Sequence, residues 1–135
     1  MAVPFRIEDY ALDLQSSVQT DGVIRLDGDT LVIEYRETRT SMMTLRSESE
    51  DVEEIRIPLD QLESFEVGRR WPWGAKLRLR TRSLGVLQQA PGVSGNEMAV
   101  RVRRRDHDRA RELSINVSLA LSSRELRRLD EGGET

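Results

Sequence analysis

A chain of 135 residues has the length of one domain and can bury a hydrophobic core without disulfides or metal ions. It has no cysteine, which excludes disulfides and thiolate metal sites, and no apolar run reaches the roughly 18 residues that a membrane span needs. The N-terminus lacks the basic and apolar regions of a secretory signal, so the sequence predicts a soluble cytoplasmic protein.

The net charge of −3 conceals two blocks of opposite sign. Residues 1–60 carry 6 basic and 14 acidic side chains, a net of −8, whereas residues 61–105 carry 10 and 3, a net of +7. Either the two blocks face each other within one fold, or the second block forms a basic face for an anionic partner. The first interpretation needs nothing outside the chain.

Residues 1–19 are expected to form an extension that precedes the main domain. The apolar side chains within it have helix-like spacing, which predicts a short helix. These residues are Phe5, Ile7, Tyr10, Ala11 and Leu14.

The stretch "GVIRLDGDTLVIEY" predicts a hairpin. Asp27-Gly28 suits a two-residue turn with positive φ, and closing the hairpin there pairs Leu26 with Asp29. The alternation then places five apolar residues on one face: Ile24, Leu26, Leu31, Ile33 and Tyr35.

Residues 38–51 are polar and predict a long loop or a frayed extension of the second strand. "EEIRIP" predicts a third strand that ends at Pro58, and Phe65 and Val67 lie on one face of a fourth. "LGVLQQ" is assigned as a sixth strand, and "APGVSGNE" as a loop.

Both tryptophans lie in the predicted turn between the fourth and fifth strands, beside several cations. Two interpretations stay open: the tryptophans close one end of the core, which we favour because the chain has few other aromatic residues, or they contact a partner or a membrane. The candidate contact residues are Arg69, Arg70, Trp71, Trp73 and Lys76.

The fifth strand, "AKLRLRTR", and the seventh, "MAVRVRRR", alternate strictly and predict a common basic outer face. Its seven cations are Lys76, Arg78, Arg80, Arg82, Arg101, Arg103 and Arg105. Ion pairing with Glu34, Glu37, Glu53 or Glu54, within the chain or from a neighbouring subunit, is the favoured interpretation. An anionic ligand comes second, and a plain solvated face third. Among the functional classes nucleic-acid binding ranks last, because the pI is about 5.3 and no aromatic residue alternates with these arginines.

A helix is predicted from about His107 to Leu129, and residues 130–135 form a flexible tail. One apolar stripe comprises Ala110, Leu113, Val117, Ala120 and Leu121. A second, on roughly the opposite side, comprises Ile115, Leu119 and Leu126. A helix that only covers a barrel needs one stripe, so the second predicts contact with the N-terminal segment or with another subunit.

Seven strands followed by one long helix resemble the pleckstrin-homology-like family, in particular its small bacterial versions. The resemblance covers residues 20–129 and rests on the hairpin, on "IRIPLDQLESFEV" and on "DRARELSINVSLAL". It implies a seven-stranded, partly open antiparallel barrel of two nearly orthogonal sheets with the helix closing one end. The short acidic Asp27-Gly28-Asp29 turn lacks the family's phosphoinositide-binding cations, so that activity is not carried over.

No motif predicts catalysis or a cofactor. His107 is the only histidine, and its neighbours in "RDHDRA" are better explained as caps at the start of the helix. The sequence therefore predicts a non-catalytic module that binds a protein partner or itself. The alternative is a peripheral membrane or anionic-ligand binder that uses the tryptophan loop and the arginine-rich face.

Overall fold

The computed structural model describes residues 2–10, 16–41, 47–49, 51–69, 74–87 and 93–132. Within these ranges the chain forms nine strands, three 3₁₀ turns and one helix. The strands are β1 (Ala2–Tyr10), β2 (Ser16–Asp27), β3 (Thr30–Ser41), β4 (Ser47–Ser49), β5 (Glu53–Pro58), β6 (Leu62–Val67), β7 (Ala75–Thr81), β8 (Val93–Ser94) and β9 (Glu97–Val102). The turns are Leu59–Gln61, Leu84–Leu87 and Arg104–Asp106, and helix α1 is His107–Gly132.

Backbone pairing joins the nine strands into one antiparallel sheet. The order is β4-β3-β2-β1-β9-β7-β6, with β5 paired to β3 and β8 paired to β9. Among the described residues β5 and β6 are not paired with each other, so the sheet is partly open. The predicted class, mainly antiparallel β with one C-terminal helix, is confirmed. The predicted number of seven strands is wrong.

The N-terminal segment forms a strand and not the predicted helix. Val3 and Phe5 are buried and Ile7 is partly buried, which is the period of two of a strand with one inward face. β1 pairs with β2 over its whole length and meets β9 at Arg6 and Arg101. The helix-like spacing depended on Ala11 and Leu14, which lie outside the described residues.

The turn of the β2–β3 hairpin lies one residue further along the chain than predicted. Asp27 pairs with Thr30 and Ile24 with Ile33, so Gly28 and Asp29 form the turn, and Gly28 has a φ of 59°. Moving the turn by one residue shifts every cross-strand partner by two, which leaves each side chain on its face. The predicted inward face is therefore confirmed, although its register was wrong.

The first four residues of the predicted sixth strand form the 3₁₀ turn Leu84–Leu87, in which Leu87 is fully buried, and its last two residues lie outside the described ranges. A run of six residues is too short for its periodicity to identify a strand. Three strands were not predicted: β1 and the two short strands β4 and β8. β4 pairs with the extension of β3 beyond Thr38, and β8 forms a hairpin with β9 through Gly95, whose φ is 65°.

The core lies between the inner face of the sheet and α1. Buried side chains from seven of the strands meet Ala110, Leu113 and Val117 of the helix. No helix in the part of the chain that the structure describes is long and apolar enough to cross a membrane.

Candidate functional site

Helix α1 has one face in the core and an opposite apolar face in solvent. The predicted core stripe is confirmed: Ala110, Leu113 and Val117 are at most 2% exposed, and Ala120 and Leu121 are partly buried. The outer side exposes four large apolar side chains by more than half. They are Ile115 (54%), Leu119 (62%), Leu126 (64%) and Leu129 (64%).

These four residues and Ser122 follow a spacing of four, three, four and three residues along the helix. This is the heptad spacing that places one seam of a helix against another helix. Leu129 and the heptad register were not part of the sequence prediction. The signal was present in the sequence, because Leu129 follows Leu126 by three residues. We refer to Ile115, Leu119, Ser122, Leu126 and Leu129 as the outer seam.

The surroundings of the outer seam carry little charge near its centre. Residues 113–123 contain no charged side chain, although 33% of the chain is charged. The exposed neighbours of Leu119 are small and polar: Asn116, Ser118, Ser122 and Ser123. Small side chains allow another backbone to approach closely, and the absence of charge lowers the cost of removing water.

Three contacts fix α1 against the sheet and so fix the direction of the outer seam. The Nε2 atom of His107 lies 3.3 Å from the carbonyl oxygen of Gly68, to which it donates a hydrogen bond. Ser114 donates to the carbonyl oxygen of Phe65 at 3.3 Å. In the C-terminal half, Arg124 forms an ion pair with Asp29 in the β2–β3 turn at 3.3 Å. The outer seam therefore points away from the domain along the length of the helix.

The predicted basic face exists on β7 and β9, with fewer members than expected. Lys76, Arg78 and Arg80 alternate with buried residues on β7, and Lys76 stands directly opposite Arg101 of β9. Arg101 is in turn opposite Arg6 of β1. On the outer surface of the sheet, Arg101 is therefore surrounded by three other cations: Lys76, Arg78 and Arg6.

The other candidate contact residues either lie beyond the ends of β7 and β9 or fall outside the described residues. Arg82 follows the end of β7, and Arg103 and Arg105 follow the end of β9, so these three do not share the strands' alternation. Arg69 is exposed after the end of β6. Arg70, Trp71 and Trp73 lie outside the described residues, so whether the tryptophans close the core stays a prediction.

The favoured pairing of this face with acidic residues of the same chain is not observed. Glu34 pairs with Arg25 at 2.9 Å, Glu54 pairs with Arg56 at 2.8 Å, and Glu53 accepts a hydrogen bond from Tyr35 at 3.1 Å. Three strands, β2, β1 and β9, lie between β3 and β7, which is about 19 Å measured along the sheet at roughly 4.8 Å per strand. β1, predicted as a helix, is one of these intervening strands.

Within the described residues, one of the β7 and β9 cations forms an ion pair with a residue of the adjacent strand. Arg80 lies 3.9 Å from Glu97, its direct cross-strand partner. No described carboxylate lies within ion-pair distance of Lys76, Arg78, Arg101 or Arg103. Two carboxylates lie near these cations without forming such an ion pair: Glu66 is the cross-strand partner of Arg78, and Asp21 is attracted to Arg103.

Next to this face, Asp21 is held ionised. Its partial burial alone would raise the pKa. The hydrogen bonds from Gln19 (2.7 Å) and Arg6 (3.0 Å), together with attraction to Arg6 and Arg103, outweigh that effect and lower the pKa below 3.8. A hollow of about 270 Å³ lies beside it, lined by Pro4, Phe5, Arg6, Asp21, Gly22 and Arg103.

A wider groove of about 640 Å³ separates the C-terminal half of α1 from the turn before β6. Its charged lining is mixed, with Asp60, Glu63 and Glu125 facing four arginines. Such a lining does not select one sign of ligand. No group of three or more His, Cys, Asp or Glu residues in the described ranges could hold a metal ion.

Comparison with known proteins adds no relative: no family model, no curated protein and no solved structure matches this chain.

Proposed function

We propose that this protein is a non-catalytic binding module that associates with a second copy of itself through the outer seam of α1. The observation that carries the proposal is the pair of opposite apolar faces on one helix. One face completes the core, whereas the other exposes four large apolar residues at heptad spacing. A face used only for solvation would carry charged side chains there.

The size of the outer seam indicates a weak to moderate association. From Ile115 to Leu129 it extends about 21 Å, at roughly 1.5 Å per residue. A contact between one helix and another lies at the low end of specific interfaces, which bury about 1,200–2,000 Å². We therefore expect monomers and dimers to exchange, and the population of dimers to depend on protein concentration.

Sedimentation equilibrium over about a hundredfold range of protein concentration tests this function. The proposal predicts that the average mass rises from the chain's 15.5 kDa toward twice that value. A mass that stays at 15.5 kDa across the whole range would rule out self-association.

We also propose that the fold is pleckstrin-homology-like. In support, seven of the nine strands have six or more residues, and a single long helix follows them. Because β1 precedes the β2–β3 hairpin, the hairpin corresponds to the second and third of these long strands and not to the first and second. A crystal structure tests this proposal: the family's architecture requires the two halves of the sheet to cross at nearly a right angle, and aligned halves would exclude it.

A second candidate function is supported by the basic face of β7 and β9. Lys76, Arg78 and Arg101, with Arg103 directly after β9, are exposed and form no ion pair within 4.0 Å among the described residues. Such a cluster attracts an anionic membrane surface, at about 1 kcal/mol per basic residue. This is the membrane-binding alternative drawn from the sequence, now centred on Arg101.

Sedimentation with vesicles of mixed neutral and anionic lipid tests the second function. We expect the protein to bind at low salt, and the double variant Arg101→Glu, Arg103→Glu to lose most of that binding. The double variant Arg111→Glu, Arg128→Glu, which changes the net charge by the same amount at two exposed positions of α1, is the matched control. Equal binding by all three proteins would contradict a role for the basic face.

A further inference from the structure

We propose that the two copies pair their α1 helices antiparallel, so that Leu119 of one copy packs on the partner's Ser122. This inference rests on the proposed self-association and adds its geometry. It is argued from three properties of the outer seam: the order of large and small side chains, the positions of the flanking charges, and the helix dipole.

The order of large and small side chains along the outer seam favours antiparallel pairing. An antiparallel seam pairs each residue with one whose number adds to 241, so that Ile115 meets the partner's Leu126 and Leu119 meets the partner's Ser122. At the end of the seam, Leu129 meets the partner's Glu112. Each large side chain at the centre then faces a small one, and the twofold axis repeats the contact. A parallel seam in register would place Ser122 on the partner's Ser122 and Leu119 on the partner's Leu119. Alternating large and small residues fill a seam more evenly.

Charges on the two flanks of the outer seam also favour antiparallel pairing. One flank carries Arg109, Asn116, Ser123 and Asp130, and the other carries Ser118 and Glu125. In the antiparallel arrangement each flank meets the same flank of the partner, which brings Arg109 beside the partner's Asp130. The parallel arrangement instead brings Glu125 beside the partner's Asp130 on both sides of the seam. All three side chains are exposed on α1. Opposite charges at flanking positions favour a pairing, and like charges oppose it.

The dipole of α1 also favours antiparallel pairing. α1 is 26 residues long, and its peptide dipoles add along its axis. Antiparallel neighbours place the positive end of one helix beside the negative end of the other, whereas parallel neighbours place like ends together. The dipole contributes little free energy at an exposed surface, but like the side-chain sizes and the flanking charges it favours the antiparallel dimer.

The absence of cysteine makes the orientation directly measurable. Two pairs of single-cysteine variants are designed at exposed, small, polar positions beside the seam. Asn116→Cys mixed with Ser123→Cys reports antiparallel pairing, since both positions lie on the same flank. Ser118→Cys mixed with Ser123→Cys reports parallel pairing, since these positions lie on opposite flanks. Each mixture is treated with a short bifunctional maleimide and compared with each variant alone.

We expect cross-linked dimer in the Asn116→Cys and Ser123→Cys mixture, and only background in the other mixture and in the single variants. Cross-linking of Ser118→Cys with Ser123→Cys instead would overturn the antiparallel geometry while leaving self-association intact. A doubled mass without cross-linking in either mixture would place the interface elsewhere and overturn the geometry as well. A monomeric mass for the unmodified chain would remove the proposed function itself.

Discussion

Val117 and Leu119 stand two positions apart on α1, and the exposed fraction changes from 0% at Val117 to 62% at Leu119. Two positions correspond to about 200° of rotation around a helix, so these side chains point in nearly opposite directions. The helix therefore has two apolar faces, one buried in the core and one exposed. Val117 contributes to the core of its own domain, and Leu119 is central to the outer seam.

Truncation of the two faces should have very different effects on stability. Leu113 is 2% exposed in the core, so Leu113→Ala should lower the free energy of unfolding by about 2–5 kcal/mol. Leu119→Ala, measured at a concentration where the chain is monomeric, should change it by no more than about 0.5 kcal/mol. Urea unfolding followed by circular dichroism measures both. Equal losses would show that Leu119 is buried.

A methyl group at Gly22 should be poorly tolerated. A Cβ there would lie 2.4 Å from the carbonyl oxygen of Glu34 and 2.5 Å from the ring of Phe5. Because Glu34 contributes backbone, Gly22→Ala must distort the β2–β3 ladder, and we expect a loss of at least about 1–3 kcal/mol. Gly85→Ala is the control, since a Cβ at Gly85 meets nothing within 4 Å. A thermal unfolding midpoint unchanged in Gly22→Ala would contradict the close packing of Phe5 on β2.

The ion pair of Asp21 predicts a dependence of stability on pH. The folded state holds the pKa of this carboxyl below 3.8, so between the folded pKa and 3.8 the unfolded chain binds more protons. The stabilisation is present above pH 3.8 and is lost as the pH falls through the folded pKa. Asp21→Asn should therefore cost about 0.2–1 kcal/mol near neutral pH, and the difference from the unmodified protein should shrink in acid.

Urea unfolding at a series of pH values measures this effect. Asp51→Asn is the matched control, because Asp51 is exposed and has no ion pair among the described residues. A difference between Asp21→Asn and the unmodified protein that stays constant from neutral to strongly acidic pH would show that the carboxylate charge is not the cause.

The sequence also makes a prediction about the two tryptophans, which lie outside the described residues. If Trp71 and Trp73 close the core, their emission should be blue-shifted in buffer and resist quenching by iodide. Addition of anionic vesicles should then leave the spectrum unchanged. Free tryptophan supplies the reference for full exposure. A large shift that depends on vesicles would instead support insertion into a membrane.

Strand periodicity predicted the faces of the sheet well, because a period of two depends only on which neighbours are apolar. The alternation of β7 and the inward face of Ile24, Ile33 and Tyr35 followed from it directly. The position of a turn is a finer property. Asp27-Gly28 and Gly28-Asp29 offer nearly equal chemistry, and the sequence did not distinguish them.

Which cations find carboxylates could not be predicted, because that depends on the order of strands. The acidic residues of β3 were expected to reach β7. β1 lies between β2 and β9, however, and Glu34 is instead satisfied locally by Arg25. The second apolar stripe of α1 was predicted correctly as a separate face from helical spacing alone. The partner of this stripe stays a prediction. Of the two candidates drawn from the sequence, the N-terminal segment forms β1 of the sheet, which leaves a second subunit.

Self-association through the outer seam is the central claim, and a matched pair of charge substitutions tests it most directly. Leu119→Glu places a charge at the centre of the seam, whereas Ser94→Glu places the same charge at an exposed position of β8, away from the helix. Light scattering at high protein concentration measures the mass of each variant. We expect Ser94→Glu to retain most of the mass above 15.5 kDa, and Leu119→Glu to fall to 15.5 kDa while remaining folded. A folded Leu119→Glu variant with the same mass as the unmodified protein would contradict the claim.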